Sequence, residues 1–138
     1  MATYKTVNVS ETGDTGFKPP IGGMVFTRYA KFTLTAALAA GDILQMVDVY
    51  KDETVLGVIC KSPDIDTATN VTFDIGDGGD ADYFIDGSTI GQAGGTVSSL
   101  ADDVAPKKYT ANDTIDIKIA TGPTTATSGD IEIWVVIA

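Results

Sequence analysis

NVTFDIGDGGDADYFIDGSTIG, residues Asn70 to Gly91, reads as strand, Gly/Asp turn, strand, turn. Val71, Phe73 and Ile75 alternate with Thr72 and Asp74, the period of two expected of a strand with one buried face. Gly76-Asp77-Gly78-Gly79-Asp80 breaks that period, and Tyr83, Phe84 and Ile85 resume it ahead of Asp86-Gly87. The stretch predicts a β-hairpin whose apolar residues fill a core and whose acidic tip faces solvent or a partner. It also holds the densest group of carboxylates in the chain, so the first functional question is whether those acids form a site.

Working outward, the flanking sequence keeps the same texture. On the N-terminal side, Val25 to Leu34 is β-rich, Thr35 to Ala40 predicts one helical turn stopped by Gly41-Asp42, and Ile43–Tyr50 and Thr54–Cys60 read as two strands around the turn Lys51-Asp52-Glu53. Both of those strands carry apolar residues on both faces, as central strands do. On the C-terminal side, Gly94 to Leu100 predicts a short strand and Ala101 to Lys108 a polar connection. Ile115, Ile117 and Ile119, then Ile131, Ile133, Val135 and Ile137, give the clearest alternation, joined through the flexible connection Thr121 to Gly129. Trp134 and Val136 make the other face of the last strand apolar too, which calls for something to cover it.

Residues Thr3 to Val9 alternate well enough for a short strand. Ser10 to Gly23 then carries four glycines and the pair Pro19-Pro20 and cannot propagate a helix or a central strand. Residues 1–23 read as an arm laid across the body or a neighbouring subunit, or else as a tail without fixed structure; residues 24–138 form the body. About eight short strands with turns every ten residues or so predict an all-β, antiparallel β-sandwich, and eight is the jelly-roll count.

Composition narrows the functions available. A chain of 138 residues fits one domain that stabilises itself without staples. Nine Lys and Arg against 19 Asp and Glu leave −10, a balance that repels nucleic acid, since such binding depends on neutralising phosphates with cations. No histidine is present, which removes the commonest general base and the commonest metal ligand together. The single cysteine, Cys60, lies in an apolar run and reads as a buried, inert thiol. Met1 to Lys5 lacks the apolar core of a secretory signal, and no apolar run approaches the roughly 18 residues that span a bilayer; the expectation is a protein made in a cytoplasm, without a membrane partner.

Candidate sites are few. Asp74, Asp77 and Asp80, with Asp82 and Asp86, invite a calcium reading because hard oxygens in a Gly-rich loop suit that ion. The twelfth position from Asp74 is Ile85 where the helix-loop-helix calcium site needs a bidentate Glu, so a turn is the preferred reading. Asp80 with Asp82, or Asp102 with Asp103, are adjacent acids without a cleft to make them a glycosidase pair. Ser62, Ser98 and Ser99 have no base to activate them, and Gly76-Asp77-Gly78-Gly79 puts a carboxylate where a phosphate would sit. The sequence predicts neither catalytic residues nor a cofactor.

The run Leu34 to Ile43 (LTAALAAGDI), Ser62 to Ala68 (SPDIDTA), Val71 to Gly78 (VTFDIGDG), Ala81 to Ser88 (ADYFIDGS) and Tyr109 to Ile115 (YTANDTI) together resemble small virion proteins of tailed bacteriophages. The resemblance covers roughly residues 25–137 and points to head structural proteins, including decoration or cement proteins on capsid exteriors. It implies a non-enzymatic homo-oligomer, a dimer or trimer, bound to the major capsid protein at the virion surface. Phe17, Pro19, Pro20 and Ile21 in the arm, with Trp134 and Val136, are the expected capsid or subunit contacts. A head–tail or tail-fibre component, or a calcium-dependent carbohydrate-binding module, are the other expectations.

Overall fold

The computed structural model describes residues 1–5, 25–101 and 104–138. Phe17, Pro19, Pro20 and Ile21 lie outside the described residues, as does the acid pair Asp102-Asp103. Among the described residues ten strands form two sheets. One runs β1 (Thr3–Lys5), β3 (Ile43–Val49), β9 (Asp113–Thr121), β5 (Thr72–Gly76), β6 (Ile85–Ser88); the other runs β2 (Phe26–Thr33), β10 (Asp130–Ile137), β4 (Thr54–Ser62), β7 (Gly95–Ser98), with β8 (Lys107–Lys108) pairing the far end of β4. The two remaining elements are single 3-10 turns, at Ile90–Gln92 and Ser99–Ala101.

The order of pairing identifies the architecture. Without β1 and β8 the described residues hold eight strands, and they pair as one long hairpin folded at its middle: first with last (β2 and β10), second with seventh (β3 and β9), third with sixth (β4 and β7), fourth with fifth (β5 and β6). Curling that hairpin adds two contacts, β10 to β4 and β9 to β5, which close it into two sheets. This is the eight-stranded jelly roll. Every pair is antiparallel except β1, which adds in parallel to the outer edge of β3.

The alternation read from the sequence supplies the core. Val71, Phe73 and Ile75 from one hairpin arm, Ile115, Ile117 and Ile119 from β9, and Ile131, Ile133, Val135 and Ile137 from β10 are all buried between the sheets. Cys60 faces the same interior, and burial pushes its thiol up to about 12, the state of an inert apolar side chain.

Three local expectations are corrected by long-range contacts. Residues 34–40 make no helical turn: Leu34 and Leu38 are buried, and Leu38 exchanges bonds with Thr124, its N–H donating to Thr124 Oγ1 at 2.8 Å and its carbonyl accepting from Thr124 N–H at 2.9 Å. Tertiary anchoring outweighs the helix propensity of the alanines. The second arm of the opening hairpin starts at Ile85, not Tyr83, and runs through Gly87, whose φ of +64° suits glycine at a shift in register. Polar residues 107–108 pair with β4 as a two-residue strand.

Ala2 and Tyr4 contact the body. Asp42 accepts from Ala2 N–H at 2.9 Å, Ile43 N–H donates to the Ala2 carbonyl at 2.8 Å, and the Tyr4 ring meets Phe32 edge-on at 5.6 Å.

Candidate functional site

The tip of the opening hairpin turns inward. Gly76 lies under the backbone of Asp80 and Ala81, so closely that a Cβ there would collide with the Asp80 carbonyl. This fold-back carries Asp77 off the surface, and its side chain has no solvent exposure. Asp77 Oδ1 accepts from Gly79 and Asp80 N–H, both at 2.9 Å; Oδ2 accepts from Lys107 Nζ at 2.6 Å and from the Tyr109 hydroxyl at 2.7 Å. Lys107 is set over the Tyr83 ring at 4.6 Å and near Tyr109 at 5.5 Å. Burial pushes the Asp77 carboxyl up, but Lys107, Tyr109 and the two backbone donors outweigh it and hold it below the usual carboxylate range. Burial and the same carboxylate raise the Tyr109 hydroxyl. The acid expected at an exposed turn is thus a four-donor anchor joining the β5–β6 connection to β8 and the segment beyond it.

The other calcium candidates point elsewhere. Asp74 accepts from Gly87 N–H across the hairpin at 2.9 Å. A hydrogen bond with Asp82 raises the Asp80 carboxyl. Among the described residues no three acidic or thiol groups converge in a way that would hold a metal ion. Asp66, which sequence reasoning did not single out, is a second buried anchor. Burial pushes it up, and the backbone N–H groups of Val71, Asn70 and Ala68 more than offset that, so its carboxyl is lowered. The Ser62-Pro63-Asp64-Ile65-Asp66 spacing carried a weak signal for it, since Asp favours turns that bond their own backbone.

The two outer faces of the sandwich differ. On the face of β3, β9 and β5, the outward positions include Asp48, Asp74 and Asp116 with one lysine, Lys118. Asp116 is nearly buried there; burial, with Asp113 and Asp77 nearby, raises its carboxyl to about 7 although Thr114 donates to it at 2.6 Å. On the face of β2, β10 and β4 the cross-strand rows run Lys31–Glu132–Lys61, then Tyr29–Trp134–Ile59, then Thr27–Val136–Gly57. Trp134 and Val136 are half-buried at its centre, as the alternation predicts. The Tyr29 ring packs on Trp134 at 5.3 Å, and Leu100 lies over Gly57, where an added Cβ would come within 2.5 Å of it. Tyr29 and Leu100 are 42% and 59% exposed, large apolar surface for a strand face.

No protein-family model matches the chain, and no curated protein matches it either. Among solved structures the fold is found again. A chain from the capsid of Ralstonia phage GP4 superposes with a TM-score of 0.78 at 23% identity, covering 99% of this chain and 97% of that one. A chain of the cyanophage Pam1 capsid asymmetric unit gives 0.68 at 22% identity, covering 93% and 96%. The all-β sandwich described above is therefore a fold present in two phage capsids, in keeping with the resemblance read from the sequence. No helix among the described residues is long and apolar enough to cross a membrane.

Proposed function

We propose that this chain is a non-enzymatic virion structural protein, a decoration or cement protein that binds the major capsid protein and stabilises the phage head. The observation that carries the reading is the near end-to-end likeness of fold to a phage capsid chain. The physical character of the molecule supports it. Three of its buried carboxylates are consumed in anchors that hold loops: Asp77 with Lys107 and Tyr109, Asp66 with three backbone donors, Glu53 with Arg28. A cement protein needs a stiff body, a contact arm and many copies, and several weak footholds at high effective concentration resist the outward pressure of a packed genome. In this reading residues 1–23, with Phe17, Pro19, Pro20 and Ile21, are the capsid-gripping arm, and the charge of −10 keeps the protein off the genome.

The test is to purify the protein and add it to phage particles that lack it. Saturable binding to the head and raised resistance to heat or osmotic shock are expected. Failure to bind, with resistance unchanged, overturns the proposal, and a label seen at the tail would reassign the protein to a tail or head–tail component.

A further inference from the structure

We infer that the β5–β6 connection is a proton-operated catch on the outside of the β3–β9–β5 sheet. It is shut while Asp116 beneath it is protonated, and it lifts locally, with the sandwich intact, when Asp116 ionises. The inference does not rest on the virion reading.

Register places the connection over Asp116. Asp116 and Gly76 are partners across β9 and β5, and partners across an antiparallel pair send their side chains to the same face. Ile115 and Ile117 fill the core, so Asp116 and the missing side chain of Gly76 both point outward. The backbone of Asp80 and Ala81 occupies the space of that missing side chain. It therefore roofs the row in which Asp116 stands, which is why an outward-pointing carboxyl is only 7% exposed. Gly78 continues the roof: a Cβ there would come within 2.9 Å of Asp113 Oδ1.

The roof closes over more acid than base. Asp77 takes Lys107 at 2.6 Å and the Tyr109 hydroxyl at 2.7 Å, so that cation is committed. Asp113 accepts from Thr114 N–H at 2.8 Å and Asp116 from the Thr114 hydroxyl at 2.6 Å, both neutral donors. Among the described residues no cation is ion-paired with either acid. From β3, Gln45 stands opposite Asp116 and Asp48 opposite Thr114; further along β9, Lys118 stands opposite Asp74 of β5. In the connection itself, Asp80 and Asp82 hydrogen-bond with each other. An ionised Asp116 would thus lie under cover beside Asp113 and Asp77 without a cation of its own, and admitting water by lifting the roof relieves that.

The sign follows from the two buried acids. Burial, with Asp113 and Asp77 nearby, raises the covered Asp116 carboxyl to about 7. Lifting the roof returns it toward its ordinary 3.8, so the open form holds fewer protons between those values and opening grows easier as pH rises through that window. Burial raises Asp77 as well, but Lys107, Tyr109 and two backbone N–H groups outweigh it, so Asp77 lets go of Lys107 only below 3.8. The catch is tightest just above 3.8 and loosest from about 7 upward.

The experiment is residue-resolved amide hydrogen exchange on the full chain, each rate divided by its unstructured value at the same pH. Gly79 and Asp80 N–H bond Asp77 inside the catch. Their protection should fall ~10-fold or more from about pH 4.5 to about pH 7, since one proton is released per opening. Leu38 and Thr124, bonded to each other at the far end of β9, should keep theirs. Asp116→Asn keeps an acceptor for Thr114 and cannot ionise, so it should abolish the fall. Asp113→Asn removes a neighbouring like charge and should move the midpoint of the fall to lower pH, an arm that stands even if Asp116→Asn does not fold. Flat protection at Gly79 and Asp80, a fall that persists in folded Asp116→Asn, a midpoint unmoved by Asp113→Asn, or an equal fall at Leu38 and Thr124 would each overturn the inference.

Discussion

Lys107 Nζ lies 2.6 Å from Asp77 Oδ2, an ion pair whose acid is wholly buried and whose lysine is partly open to solvent. The two residues stand 30 positions apart, and the pair is what lets a Gly/Asp turn fold inward without stranding a charge. Asp77→Ala leaves Lys107, the Tyr109 hydroxyl and two backbone N–H groups without their acceptor, and should cost on the order of 3 kcal/mol in denaturant unfolding. Tyr109→Phe removes one donor and should cost about 1–2 kcal/mol. The folded Asp77 carboxyl sits below its ordinary 3.8, so the contribution is complete above that value and is lost as pH falls through the folded pKa. The gap between wild type and Asp77→Asn should accordingly close in strong acid; a constant gap would contradict an ionised Asp77.

Asp116 has the opposite sign. Its carboxyl is raised from 3.8 to about 7, so between those values the folded chain holds a proton that the unfolded chain has released. Stability should fall as pH rises through that window. Asp116→Asn keeps an acceptor for Thr114 and cannot ionise, so its melting temperature should exceed that of wild type near pH 8 and approach it near pH 4.

Arg28 joins β2 to the β3–β4 turn. It donates to both oxygens of Glu53 at 2.6 Å and to the Asp48 carbonyl at 3.0 Å, while Tyr50 N–H also donates to Glu53. Lysine cannot reproduce the planar fork. Arg28→Lys should cost about 1–2 kcal/mol and Arg28→Met about 3–5 kcal/mol, since the latter leaves Glu53 buried without its cation; chemical denaturation measures both.

Gly76 tests the fold-back itself. A side chain there meets backbone, not a movable side-chain tip, so Gly76→Ala should cost about 3 kcal/mol. Gly57→Ala meets side chains alone, Leu100 at 2.5 Å and Ser99 Oγ at 3.0 Å, and should cost less, about 1–2 kcal/mol. Equal losses at the two positions would refute this account of the turn.

The residue order determined most of the layers. Alternation in Val71–Ile75, Ile115–Ile119 and Ile131–Ile137 marked which side chains face the core, because the pleat sends successive side chains to opposite faces whatever lies beside the strand. It also marked Trp134 and Val136 as an outward apolar pair. Only the tertiary structure decided what no local period carries. That β2 lies beside β10, and that Asp130 meets Thr33 across 97 positions, follows from curling one long hairpin into a closed pair of sheets. Leu38 is held by Thr124, and Asp77 faces inward, because partners distant in sequence supply the hydrogen bonds and the positive charge that those positions need. A Gly/Asp turn read alone belongs in solvent; it belongs inside only where a lysine from another segment arrives to neutralise it.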